Sequence, residues 1–373
     1  MRLVLLLVLV VAPLAAGDSP PVERSELSAL LSTDGNVGFP VATEPQAFDF
    51  PRDHGPHPEY RNEWWYLTGN LDDDDGRRFG FELTIFRFAL TPTLPEPDSA
   101  WRTNQVYIGH FAVTDEDQQV FYVAQRFSRG AAGLAGARTG PFRVWIDDWE
   151  IAATDKNGDR EHWRLRAADD AFALNLDLAA TKRPVLNGID GLSQKSAEVG
   201  NASYYYSITR WRSDGQLRIG QREFTVSGLS WLDREWSSSA LASDQQGWDW
   251  FALQLSDGSE LMFYDLRKTD GTQDPFSAGT WIPASGAARH FSRDEIDVTV
   301  TDTWDSPAGG TYPAGWEIRL ASENLSLAVT PVMDNQELFT TVRYWEGAVD
   351  VTGSHFGKAI SGRGYVELTG YAD

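Results

Sequence analysis

The chain of 373 residues contains no cysteine. A disulfide framework and lipid attachment to a cysteine are therefore excluded. The stability of the fold must come from burial of side chains alone. This agrees with a high aromatic content, which includes 15 tryptophans and 19 phenylalanines.

Several motifs that carry chemistry are also missing. The six histidines are scattered through the chain, so no metal site is predicted. There is no Gly-x-Ser-x-Gly nucleophile elbow, no phosphate-binding loop and no dinucleotide fingerprint. The sequence therefore predicts neither a cofactor nor a serine hydrolase.

Positive charge is scarce. The chain has 32 lysines and arginines against 54 aspartates and glutamates, which gives a formal net charge of −22. A surface this acidic repels the phosphate backbone of nucleic acids and anionic lipid headgroups. We therefore expect no nucleic-acid partner.

Only one stretch of the chain is strongly apolar, and it lies at the start. Residues 1–11 (MRLVLLLVLVV) carry one positive charge, and a proline and small residues follow at 13–17. This layout predicts a signal peptide over residues 1–17, with the mature protein periplasmic or secreted. The run is shorter than the roughly 20 residues of a membrane-spanning helix, so no stable membrane insertion is expected. Residues 18–47 show little periodicity and are predicted to form an extended arm.

From residue 60 onward the chain consists of short β-branched and aromatic runs separated by turn signals. Segments 64–71 and 248–255 both begin with tryptophan, continue into an Asp-Gly turn and return as a second strand that ends at arginine. This internal duplication predicts an all-β fold of two antiparallel barrels. We expect an N-terminal domain over 48–227 and a C-terminal domain over 228–373, since Ser213-Asp214-Gly215 interrupts the pattern.

The aromatic residues of the two hairpins are candidates for ligand binding. Side chains alternate along a strand, so Trp64 and Tyr66 share one face while Trp65 points to the other. Packing in a core or between the barrels is the alternative role for each of them. The predicted ligand-binding residues also include His110, on a strand pattern, and the hairpin residues Trp248 and Trp250. Barrels of this size can hold one small ligand.

Four segments resemble one known family. They are 60–66 (YRNEWWY), 228–236 (GLSWLDREW), 344–349 (YWEGAV) and 364–371 (GYVELTGY). Together they make the chain similar to the bacterial lipocalin-like family of carotenoid 1,2-hydratases and AttH or "predicted secreted hydrolase" proteins. The resemblance extends from about residue 48 to the C-terminus. It implies two consecutive lipocalin-like barrels.

The resemblance also implies candidate catalytic residues. The hydratases use a His-x-Trp and a Tyr-x-Asp motif, and the matching positions here hold Arg234-Glu235-Trp236 and Phe263-Tyr264-Asp265. The candidates are therefore Asp265, Trp236, Arg234 and Tyr264. A desolvated carboxylic acid can protonate an alkene, and a tryptophan face can stabilise the resulting cation. If Arg234 faced Asp265, however, it would keep that carboxyl ionised, so a structural Arg–Asp pair is the alternative.

Three functions follow as hypotheses. The first is binding of an apolar or amphipathic small molecule, such as an isoprenoid or a lipid. The second is a cofactor-independent hydratase or lyase that acts on an isoprenoid alkene. The third, suggested by family relatives, is an envelope accessory protein whose partner is an export-type transporter.

Overall fold

The computed structural model describes residues 36–93, 99–154, 160–239 and 241–372. The predicted signal peptide and most of the predicted arm lie outside these ranges. Residues 36–47 form neither helix nor strand. The described helices are single 3-10 turns at Arg52–His54, Arg293–Glu295 and Ala321–Glu323. None of them has the length or the apolar character needed to span a bilayer.

The first half of the chain forms one curled antiparallel sheet of thirteen described strands. They are β1 (Asn62–Asp73), β2 (Arg78–Ala89), β3 (Gln105–Asp115), β4 (Val120–Arg129), β5 (Ala135–Arg138), β6 (Arg143–Ile146), β7 (Trp149–Ala153), β8 (His162–Ala168), β9 (Phe172–Ala180), β10 (Val185–Leu186), β11 (Leu192–Gln194), β12 (Ala202–Ile219) and β13 (Arg222–Ser237).

The second half forms a similar sheet of ten described strands. They are β14 (Gln245–Leu255), β15 (Glu260–Lys268), β16 (Ala278–Ile282), β17 (Arg289–Ser292), β18 (Ile296–Asp305), β19 (Thr311–Leu320), β20 (Leu325–Pro331), β21 (Glu337–Phe339), β22 (Arg343–His355) and β23 (Lys358–Leu368).

The two sheets share one topology. In each, the first hairpin lies in the middle of the sheet, and its first strand pairs with the last strand of the same sheet, β1 with β13 and β14 with β23. The first sheet closes almost completely into a barrel, whereas the second is a half-barrel. The predicted all-β fold of two lipocalin-like antiparallel barrels is confirmed.

The change from one sheet to the other comes later than the predicted boundary at 227/228. That position lies inside β13, which pairs with β1 from Asn62 opposite Ser237 to Asp73 opposite Val226. The second sheet starts at β14. The glycine signals used for the boundary have another physical cause. Gly215 and Gly228 lie within strands, where a Cβ atom would stand 2.0 Å from a neighbouring carbonyl oxygen, so close backbone approach requires glycine.

Each sheet curls around its own core. The interior of the first contains Trp65, Trp163, Trp211 and Trp236, all almost fully buried. The second encloses a smaller cluster around Phe251, Phe263 and Trp316. Aromatic and aliphatic side chains pack against each other in both interiors. Aromatic side chains that point away from these cores, among them Tyr66 and Trp250, form a third cluster where the two sheets meet.

Candidate functional site between the two barrels

The hairpin aromatics meet where the outer faces of the two sheets pack together. Trp64 and Tyr66 point away from the first barrel, as the alternation predicts, while Trp65 fills its interior. Trp250 comes from the second sheet, and its ring packs edge-on to Tyr66 with centroids 5.1 Å apart. The outer faces of β1 and β14 thus face each other across the interface.

Between these faces lies a cavity that is partly open to solvent. Three of its aromatic side chains, Trp64, Phe86 and Trp248, are half-buried and form the rim. The lining consists of Trp64, Tyr66, Thr84, Phe86, Lys195, Tyr205, Asp233, Glu235, Leu241, Trp248, Trp250, Tyr264, Leu266, Glu346 and Glu367. The structure therefore brings four of the five predicted ligand-binding residues to one cavity.

Strand register explains why carboxyl groups accompany these aromatics. In the first sheet, Trp64 lies directly opposite Glu235, and Tyr66 lies opposite Asp233. Residues opposite each other on adjacent strands share a face. Because the aromatic side chains face the cavity, both carboxyl groups must do so as well.

The second sheet repeats the arrangement. Trp250 lies opposite Glu367 on one side and opposite Tyr264 on the other. Glu367 is in turn directly opposite Glu346. Two like-charged side chains in this relation repel each other when both are ionised.

Asp233 is held by three neutral donors. The hydroxyl groups of Tyr205 and Ser207 and the indole of Trp231 donate to its carboxyl, the last at 2.7 Å. Burial raises the pKa of Asp233 to about 7, although these hydrogen bonds act in the opposite direction. A carboxyl with this pKa can both donate and accept a proton near neutral pH.

Glu346 and Glu367 are more strongly perturbed. Burial, together with the nearby Glu367 carboxyl, holds the pKa of Glu346 well above its ordinary value. Burial likewise raises the pKa of Glu367 to about 8. The hydroxyl of Tyr66 donates to Glu346 Oε2 at 2.7 Å, while Glu346 Oε1 is buried without a hydrogen-bond partner.

Lys195 is the basic residue in the lining. Its Nζ lies 3.2 Å from the Glu235 carboxylate and 4.0 Å from the centroid of the Tyr264 ring. Burial alone would lower the pKa of Lys195, but the Glu235 charge raises it above its ordinary value. Lys195 is therefore a charged partner that compensates Glu235.

His110 lies outside the lining. Its Nδ1 is 2.6 Å from the Tyr344 hydroxyl and its Nε2 is 2.9 Å from the Gln125 amide. Burial lowers the pKa of His110 to about 3, so the imidazole is neutral. Its contact with Tyr344 joins β3 to β22 and thus links the two barrels.

The four predicted catalytic residues do not come together. Arg234 lies inside the first barrel, where it pairs with Glu63 and its guanidinium stands 4.0 Å from the Trp65 ring. Trp236 shares that interior, 5.2 Å from the same guanidinium. Of the predicted group, the cavity contains Tyr264 alone.

Asp265 points to the opposite face of β15 from Tyr264. Its partners are Gln273, which donates at 2.7 Å, and Arg293 at 3.4 Å. The predicted Arg234–Asp265 pair is therefore not formed. Burial raises the pKa of Asp265 even though Arg293 lowers it.

The residues that sequence reasoning missed were within the quoted segments. Asp233 and Glu235 flank Arg234 in GLSWLDREW, Glu346 lies in YWEGAV and Glu367 in GYVELTGY. Residues two apart on a strand share a face. Counting in steps of two from the tryptophan and tyrosine residues of these segments would therefore have indicated Asp233 and Glu235. Lys195 lies in a connection and carries no comparable signal.

Comparison with solved structures shows relatives over nearly the whole chain. An AttH-type protein from Nitrosomonas europaea is 34% identical, with a TM-score of 0.79, over 90% of this chain and 100% of that one. Kievitone hydratase from Nectria haematococca has 15% identity and a TM-score of 0.66, covering 90% of this chain and 99% of its own. CghA, solved with Sch210972, has 12% identity and a TM-score of 0.50, covering 92% and 97%. At these identities the last two show a common fold.

A search of functionally curated proteins finds no match. The AttH-like family model matches residues 41–371. The chain therefore belongs to the AttH-like family.

Proposed function

We propose that the protein binds an apolar or amphipathic small molecule in the cavity between its two barrels. The observation that carries the proposal is the convergence of Trp64, Tyr66, Trp248 and Trp250 on one solvent-connected space. Ligand sites are typically concave, mostly apolar and equipped with a few polar groups, and they often lie between domains. This cavity has each of these properties.

The half-buried rim supports entry of a ligand from solvent. Trp64 and Trp248 come from different barrels and are both partly exposed, so a guest can contact both without unfolding either core. Large aromatic surfaces contribute most of the binding free energy in such sites. An isoprenoid or lipid-like body would fit this aromatic lining.

Nile red, a neutral dye whose emission shifts in apolar surroundings, tests the proposal. We expect saturable binding to the wild type, and roughly tenfold weaker binding to Trp64→Ala and Trp248→Ala, since each removes a large apolar contact. Trp304→Ala is the matched control, because Trp304 is also half-buried but packs on the second core. Equal binding by all three variants, or no saturable binding at all, would rule out this site.

A second candidate function is acid-catalysed addition of water to an alkene. It is favoured by Asp233, whose pKa of about 7 leaves part of the carboxyl protonated at neutral pH within an aromatic cavity. The acid would donate its proton to one alkene carbon, leaving a carbocation against the aromatic faces. Water would then bond to the cation and return a proton to the carboxylate.

Incubation of geranylgeraniol or lycopene with the protein in ¹⁸O-labelled water tests this chemistry. Mass spectrometry should detect a hydrated product that carries the label, and Asp233→Asn should abolish it. If turnover is lost in Asp265→Asn but kept in Asp233→Asn, the acid is the residue that the family resemblance implied. Absence of any labelled product with the wild type would count against the hydratase hypothesis.

A further inference from the structure

The cavity has more acidic groups than its basic neighbours can compensate. Its lining holds four carboxyl groups and one ammonium group, and that ammonium, of Lys195, is already paired with Glu235. Within the described residues, no arginine, lysine or histidine forms an ion pair with Asp233, Glu346 or Glu367. Buried carboxylates are normally paired, because desolvation without a counter-charge is costly.

One of these groups also has an unused acceptor. Glu346 is fully buried and lines the cavity, with one oxygen bound by Tyr66 and the other, Oε1, without a partner. Nearly all buried side-chain oxygen atoms in proteins accept a hydrogen bond. This oxygen is therefore an acceptor that no donor among the described residues satisfies.

The aromatic lining suits the same kind of group. The face of an aromatic ring attracts a cation within about 6 Å of its centroid. The cavity already contains this geometry, because Lys195 Nζ lies 4.0 Å from the Tyr264 ring and 5.3 Å from the Tyr205 ring. Trp250 presents a further ring beside Glu367.

We infer that this cavity selects ligands with a positively charged group, an amine or a quaternary ammonium, attached to an apolar body. The inference rests on the proposed function and adds the charge of the ligand to it. The apolar body would occupy the tryptophan rim, and the cation would lie near Glu346 and Glu367.

Binding of a cation should be linked to proton release. A nearby positive charge favours the ionised form of a carboxyl, so the cation lowers the raised pKa of Glu367. Affinity for the cation should therefore rise as the pH increases from about 6 to 8. The other carboxyl groups that face Glu367 and Glu346 are Glu82 from β2 and Asp233 and Glu235 from β13. The remaining facing groups are the hydroxyls of Tyr66, Tyr205, Tyr264, Tyr344 and Tyr365 and the ammonium of Lys195.

Benzyltrimethylammonium and its neutral carbon isostere, neopentylbenzene, form a matched pair of probes. Each would compete with Nile red for the full-length protein at pH 6 and pH 8. At pH 8 we expect the ammonium to bind roughly tenfold more tightly than the isostere, and this preference should shrink at pH 6. Calorimetry in buffers of different ionisation enthalpy should show proton release with the ammonium alone.

Glu346→Gln and Glu367→Gln remove the negative charge while keeping the shape of the protonated side chain. Both should lose the preference for the ammonium over its isostere. Glu116→Gln, a change of a half-buried carboxyl outside the lining, should keep that preference. If both glutamine variants fail to fold, the wild type alone tests the inference. A preference for the ammonium that does not shrink at pH 6 would then overturn it.

The outcomes separate the two proposals. Nile red binding without any preference for the ammonium would overturn this inference and leave the proposed function intact. Failure of Nile red itself to bind would overturn the proposed function. Equal preference in wild type and glutamine variants would show that these carboxyl groups do not recognise the cation.

Discussion

Both barrels place a glutamate opposite a tryptophan of the first strand, yet the surroundings of the two glutamates differ. In each, a tryptophan of the first strand lies directly opposite a glutamate of the last strand, Trp64 with Glu235 and Trp250 with Glu367. Glu235 has Lys195 at 3.2 Å, whereas the strand neighbour of Glu367 is another acid, Glu346. One copy of the arrangement is electrically compensated and the other is not.

The difference separates a charge that stabilises the fold from a charge that responds to pH or to a ligand. A buried carboxylate with a buried counter-ion gives a fixed local charge that stabilises the fold only while both partners are present. A buried carboxyl without a counter-ion changes its protonation with pH or with a ligand. Glu367, which is half-buried, and Asp233 are therefore carboxyl groups of the cavity that respond to pH or to a ligand.

Removing Lys195 should abolish the difference between Glu235 and Glu367 and should have the largest effect on stability. Lys195→Met leaves Glu235 buried without its cation, so we expect the free energy of unfolding to fall by roughly 3–5 kcal/mol. Urea denaturation at pH 7 measures the loss. The double variant Lys195→Met/Glu235→Gln should recover most of it, because no uncompensated charge remains. A double variant as unstable as the single one would show that packing of the lysine chain, not charge, is responsible.

The pH dependence of stability should also distinguish Glu367 from Glu235. Burial raises the folded-state pKa of Glu367 from 4.5 to about 8, so between these values the folded protein holds a proton that the unfolded chain has lost. Stability is then unaffected by this group below pH 4.5 and falls as the pH rises toward 8, by at most about 1.4 kcal/mol per pH unit. Solvent at the rim reduces that slope. Asp233 and Glu346 act in the same direction.

Denaturation of Glu367→Gln between pH 5 and pH 8 checks this expectation. The variant should show a shallower decline in unfolding free energy than the wild type. Glu150→Gln, which changes a half-buried carboxyl outside the cavity, serves as the control. A slope in Glu367→Gln identical to that of the wild type would mean that Glu367 does not hold the proton.

The duplication and the directions of the hairpin aromatic side chains could be predicted from the sequence. Trp-led hairpins predicted the duplication, and two-residue alternation assigned Trp64, Trp65 and Tyr66 to their faces. Both succeed because they depend on local geometry. The predicted domain boundary falls inside a strand because Gly215, which allows close strand contact, resembles a turn residue in sequence.

The site itself was harder to predict because both faces of β13 are buried over residues 230–237. Where one face of a strand is solvated, polar residues mark it, but Asp233, Arg234 and Glu235 are all inaccessible. The family resemblance singled out Arg234 and Trp236, which point into the first barrel. The adjacent residues Asp233 and Glu235 face a cavity, and only the packing of the second sheet against the first shows this.

A third class of charge bridges the barrels at the surface, and changes there should have the smallest effect. Arg363 reaches Asp72 at 2.7 Å, and Arg78 reaches Asp350 at 3.0 Å, with both carboxyl groups more than a third exposed. Solvent screens such pairs, so Asp350→Asn and Asp72→Asn should each cost less than about 1 kcal/mol. Urea denaturation at low and high salt measures this, and the difference from wild type should shrink as salt increases. A salt-independent loss of unfolding free energy comparable to that of Lys195→Met would show instead that these pairs behave as buried ones. The barrels would then be held together by these surface ion pairs as well as by the aromatic residues around the cavity.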